Sequence, residues 1–258
     1  MKLHLLPVLA LSLAVSIGSH ASPNAGSPPS PGDTNRLPSK RLATAPTPQE
    51  LADYFVSSAQ GDETPYEAIL TVALSGDSAV SGLSELLSSD SLHTSNRFAS
   101  RLAPPLDTMK FLTPNKLYAI LSLEAIATPK AYSILQATAA SHPDPEVRGL
   151  ALNSMANVYH AAISKSKVIP NKDFLPLFFN PADSEKFIGC LGKTIGQIAK
   201  EGLNNWLGLD FDEPQFASQR SIGNQLLPGS EFTSLWWKAN SANLMWDGNS
   251  RHFRLPSK

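Results

Sequence analysis

Between residues 47 and 145 the chain five times sets Thr or Asp directly before Pro. The stretches are "TPQE" from Thr47, "TPYE" from Thr64, "TPNK" from Thr113, "TPKA" from Thr128 and "DPEV" from Asp144. Each reads as the start of a helix. The side-chain oxygen of Thr or Asp accepts a hydrogen bond from an orphan backbone N–H. Pro then takes the first helical position, where its missing N–H costs nothing and its φ is already set. Glu50 and Glu67 stand where they complete capping boxes in the first two starts. So many starts in so short a span dictate short helices joined by tight turns.

The segments behind these starts carry apolar residues at helical spacing. Leu51, Tyr54, Phe55 and Ala59 form the first stripe, and Tyr66, Ile69, Leu70 and Ala73 the second. Val80, Leu83, Leu86 and Leu87 form a third, and Leu117, Ile120, Leu121 and Leu123 a fourth. One amphipathic helix cannot bury its stripe alone, so adjacent helices must pair. The stretch "HPDPEVRGLALNSMANVYH", residues 142–160, also matches the chain 32 residues earlier. Arg148 falls on Lys116, Ala151 on Ala119, Leu152 on Ile120, Met155 on Leu123 and Val158 on Ile126. The earlier copy continues through a second helix, "TPKAYSILQATAAS". Its "AYSIL" is similar to "AVSGL" at 79–83, which places a more divergent unit upstream; "RFASRLAPPLDTMKF" breaks the period between them.

This pattern resembles the short bacterial kind of HEAT repeat. Asp144, Pro145, Val147, Arg148, Ala151 and Met155 carry the match in one unit. Leu123, Ile126, Thr128, Pro129, Ala131 and Leu135 carry it in the other. The resemblance spans about residues 62–165 and implies stacked α-α pairs with one continuous core and a curved outer surface. A non-repetitive helical bundle is the alternative. The expected fold class is mainly α: a HEAT-like superhelical stack over 48–165, closed by a C-terminal helix plus β-hairpin cap within 166–258.

Beyond residue 165 the composition shifts. "VIPNKDFLPLFFNPADSEK" reads as loop plus a short apolar helix. "SEKFIGCLGKTIGQIAKEGLNNWLG" reads as one helix from a Ser184 cap to a Gly208 stop, with Gly189, Gly192 and Gly196 as a small-residue stripe against another backbone. Trp236 and Trp237 fall in a further short helix. "NLMW", the turn "DGNS" and "RHFRL" then read as a hairpin with Leu244, Trp246, Phe253 and Leu255 on one face. This ending is similar to a terminal "WW…N…L.WD…R.F" element of exported bacterial repeat proteins. Trp236, Trp237, Asn240, Leu244, Trp246, Asp247, Arg251 and Phe253 carry that likeness, which implies no activity.

The first 21 residues have the anatomy of a secretory signal peptide. Lys2 precedes the apolar run Leu5–Ile17, and Ser19 and Ala21 stand at the minus-three and minus-one positions of a cleavage site. The run is about 13 residues, short of the ~20 that span a bilayer. Cleavage would leave no membrane span. Residues 22–47, rich in Pro, Gly and Ser, read as a disordered linker. The single Cys190 excludes an intramolecular disulfide. With no glycosylation sequon in the mature chain, this points to a bacterial exported protein, periplasmic or extracellular. Formal net charge is −1, which offers no bulk field for nucleic acid.

No motif carries catalysis. "GCLGKT" fails as a phosphate loop because Phe187 stands where its first glycine belongs. Cys190 reads as a buried thiol on an apolar helix face. His93, His142, His160 and His252 show no metal-ligand spacing. Asp210, Asp212 and Glu213 read as a solvated turn and not a Ca²⁺ loop. No cofactor is implied. The expected function is a non-catalytic protein-interaction scaffold with an unknown protein partner, its candidate surface Trp206, Trp236, Trp237, Arg148 and Lys116. One alternative is a carbohydrate or cell-wall binding module using the C-terminal aromatics. Another is a hydrolase whose site joins His160 or His252 to a distant carboxylate and serine. Exposure of the tryptophans separates the first two: buried rings favour a cap, exposed rings a sugar platform.

Overall fold

Every Pro of the five starts heads a helix. A computed structural model describes residues 42, 45–60, 65–89, 114–165, 172–209, 216, 221–222, 225–226 and 229–256. In it α1 is Pro48–Gln60, α2 Pro65–Leu74, α3 Asp77–Ser88, α4 Pro114–Ile126, α5 Pro129–Ser141 and α6 Pro145–Lys165. At α1, Glu50 N donates to Thr47 Oγ1 (3.2 Å) while Thr47 N donates to Glu50 Oε2 (2.8 Å), which closes the expected capping box. At α5, Thr128 Oγ1 accepts from Ala131 N (3.3 Å). At α6, Asp144 Oδ1 accepts from Glu146 N (2.9 Å). The caps at Thr64 and Thr113 lie outside the described residues, as do the leader and residues 22–41 of the linker.

Downstream come α7 Pro176–Phe179, α8 Ile195–Leu207 and α9 Gly229–Asn240, with 3-10 turns at Lys172–Phe174 and Ser241–Asn243. Among the described residues there are three two-stranded antiparallel pairs: β1 Phe187–Ile188 with β2 Lys193–Thr194, β3 Ser221–Ile222 with β4 Gln225–Leu226, and β5 Met245–Asp247 with β6 His252–Arg254. The fold is mainly helical, as the sequence indicated. It divides into two compact units, residues 1–126 with 189–192, and residues 127–188 with 193–258.

In the first unit α4 packs against α2 and α3, and α1 against α3. Leu51, Phe55, Ile69, Val72, Val80, Leu83, Ile120 and Leu123 are fully buried. The Phe55 and Tyr118 rings meet at 5.4 Å. Two of the expected stripes sit one position round the helix. Leu70 and Ala73 are half-buried while Ala68 and Val72 take the core; Leu117 and Leu121 are half-buried while Tyr118 and Ala119 go inside. The side chains of Ala59 and Tyr66 lie outside the described set. The linker also ends earlier than expected. Pro46 is buried, and its carbonyl oxygen lies 2.3 Å from where a Cβ on Gly82 would stand, so only glycine admits this close approach.

In the second unit α6 lies between α5 and α8. Val147, Leu150, Ala151 and Met155 face inward; the Val158 side chain is outside the described set. Asn205 Nδ2 donates to Ala156 O (3.4 Å), tying α8 to α6. The 32-residue match extends to burial. From Lys116/Arg148 to Ala125/Asn157 the burial class is the same at every position except Leu117/Gly149. Within the units the packed helix neighbours include α3 with α4 and α2 with α4 in the first, and α5 with α6 and α6 with α8 in the second.

The long helix expected from Ser184 to Gly208 is instead a hairpin followed by a shorter helix. β1 and β2 pair Phe187 with Thr194 and Ile188 with Lys193. Gly192, at φ 64°, closes the turn by donating to Gly189 O (3.3 Å). Thr194 then caps α8 in a full capping box with Gln197. Gly189 and Gly192 are therefore turn residues with open space around them. Gly196 alone of the three meets a backbone, the Ser184 carbonyl oxygen, at 3.1 Å from an added Cβ. Cys190 sits in the turn, half-buried, and not on a helix face.

The C-terminal hairpin forms as expected, with Trp246 opposite Phe253. Leu244 and Phe253 are buried and Trp246 half-buried, but Leu255 is exposed. The Lys172 ammonium holds the approach to this hairpin. Its Nζ donates to Ser241 O (2.9 Å), Leu244 O (3.2 Å) and Ala242 O (3.4 Å) at the end of the 3-10 turn, where Ser241 O also accepts from Leu244 N (3.4 Å).

Candidate functional site

Two places in the second unit gather the residues that sequence reading singled out. The first is aromatic. Trp206, on α8, is 1% exposed. Its ring lies 4.5 Å from Phe174, 6.3 Å from Phe253 and 6.4 Å from Tyr132. Phe178 packs so closely on α8 that a Cβ at Gly202 would stand 2.2 Å from its ring. The Tyr132 hydroxyl is buried without a hydrogen-bond partner among the described residues, and burial raises its pKa well above the usual phenol value. Trp236 is also buried, stacked on Phe179 at 5.6 Å and 11°. Trp237, half-buried, leans on the same ring at 4.9 Å. Trp206 and Trp236 are therefore core, not ligand surface. Their apolar area is spent on holding α7, α8, α9 and the hairpin together.

The second place is a cleft of about 120 Å³ beside Arg148, walled by α5, α6, α7 and the start of α8. Arg148 reaches back across the α5–α6 turn. Its Nη1 donates to the carbonyl oxygens of His142 (2.5 Å) and Pro143 (3.1 Å), and its Nη2 pairs with the Asp183 carboxylate. Nε is buried and has no acceptor among the described residues. Close by, burial and then the Asp144 charge raise the Glu146 pKa, against the opposing pull of Lys186. Arg148 is thus engaged within the chain, where sequence reading placed it on an open surface. Lys116, its counterpart in the first unit, is half-buried on α4.

The remaining candidates do not converge. His142 ends α5, and its Nδ1 accepts from Asp144 N (3.1 Å). The His252 ring lies against Gly208. His93, Asp210, Asp212, Glu213 and the His160 side chain lie outside the described residues. Among the described residues no three His, Cys, Asp or Glu side chains group as metal ligands, and no helix is long and apolar enough to cross a membrane. Sequence reading missed Asp183, 35 residues from Arg148, and no local pattern marks that pair. It also missed Thr194, which "TIGQ" signals as a capping box. No family model, curated protein or solved structure matches the chain.

Proposed function

We propose that the chain is an exported bacterial scaffold, a HEAT-like stack of helical pairs that binds another protein and does no chemistry of its own. The observation that carries this over the carbohydrate reading is the burial of Trp206 and Trp236. A sugar platform needs exposed ring faces, and these faces are covered by Phe174, Phe179 and Phe253. The shared burial pattern of α4 and α6 supports the repeat reading. The step from stacked helices to protein binding is by analogy of architecture. The test is crosslinking of the tagged chain in its own envelope, alongside retention on insoluble cell-wall glycan. One protein recovered reproducibly at near-equal amount supports the scaffold. Retention on glycan with no protein partner overturns it.

A further inference from the structure

Arg148 is held as a half-used fork. A guanidinium presents Nε–H and the adjacent Nη2–H side by side, spaced for the two oxygens of a carboxylate. Here Nη2 meets one oxygen of Asp183, while Nε is buried with no acceptor among the described residues. The other edge is fixed by the His142 and Pro143 carbonyls, so the plane of the fork is set in advance. Asp183 is a weak incumbent. Its side chain is 48% exposed against 17% for Arg148, and an ion pair so open to water holds little. Its backbone sits at φ 54°, sparsely populated by residues other than glycine. Arg148 lines a small, mostly apolar cleft with Ala139, Leu152, Leu177, Asn180, Ala182 and Ile195.

We infer that this cleft is a carboxylate-binding site. It takes the C-terminal carboxylate of a peptide ending in a small apolar residue, and Asp183 is the internal group that the ligand displaces. Both fork donors are then used, and the terminal side chain enters the apolar hollow. The peptide source rests on the protein-binding reading above. The chemistry shared with free short-chain acids is a carboxylate on a short apolar tail.

The experiment titrates the full chain with N-acetyl-Ala-Ala, its C-terminal amide, and acetate, read by backbone amide NMR. Expected is saturable binding of the dipeptide acid at residues 139–152 and 177–195, with the amide at least tenfold weaker. Asp183→Asn should tighten binding severalfold by removing the competitor. Arg148→Met should abolish it; because Arg148 also braces the α5–α6 turn, Ala182→Trp, at an exposed position, blocks the cleft independently and should abolish it too. Acetate binding as tightly as the dipeptide would overturn the peptide assignment. No saturable response in either the natural chain or Asp183→Asn would overturn the site. If the dipeptide binds and no protein partner is captured, the scaffold fails and the carboxylate site stands.

Discussion

At the scale of single residues, two positions settle how the second unit closes. Gly202 lets the Phe178 ring press close to α8, where an added Cβ would stand 2.2 Å from it. Ala normally favours a helix over Gly by up to ~1 kcal/mol. Here overpacking should reverse that and cost about 1–3 kcal/mol net. Urea midpoints of Gly202→Ala should fall, and adding Phe178→Ala should recover part of the loss beyond additivity. Lys172 is the second. Its ammonium serves three carbonyls about seventy residues away, while its stem can be kept in Lys172→Met. Loss of those charge-assisted bonds should cost about 1–3 kcal/mol. Hydrogen exchange should rise at residues 244–254 more than in α5. Unchanged exchange there would mean that Phe253 alone anchors the hairpin.

At the scale of elements, the capping boxes link sequence to pH. Thr47 donates from both its N–H and its hydroxyl to Glu50, and these bonds lower the Glu50 pKa. A depressed carboxyl pKa stabilises the fold above its unfolded value near 4.5 and loses that effect as pH falls through the lower folded value. Glu50→Gln keeps an acceptor oxygen without the titration. Between pH 6 and pH 3 the natural chain should therefore lose more stability than Glu50→Gln, measured by urea unfolding at each pH. The same boxes mark what was legible. A Pro at the first position and an oxygen before it are local facts, so all five helix starts could be read directly. The β1–β2 hairpin could not. Its strands are two residues long and carry no period, and Phe187, Ile188, Leu191 and Ile195 fit a helix as well as a hairpin. The cleft beside Arg148 was illegible for another reason. Its walls come from α5, α6, α7 and the start of α8, and only the fold brings these to Arg148.

At the scale of the molecule, the proposed export predicts that the protein recovered from its own envelope begins at Ser22. Intact mass and N-terminal sequencing check this; an exported chain that retains Met1 would contradict cleavage after Ala21. Removing Lys2 with the leader takes the formal charge from −1 to −2. The α5–α6 junction bears on the whole molecule too. Pro143 and Pro145 flank Asp144, and the two helices fold back on each other across it. Proline bars a helix from propagating backward through this point. Without that bar, residues 129–165 could run as one rod of about 55 Å. The faces by which α5 and α6 now meet would then be parted, and the matching rod of another molecule could cover them. The two prolines thus do more than begin a helix. They keep the chain packing on itself and guard it against exchanging halves with its neighbours.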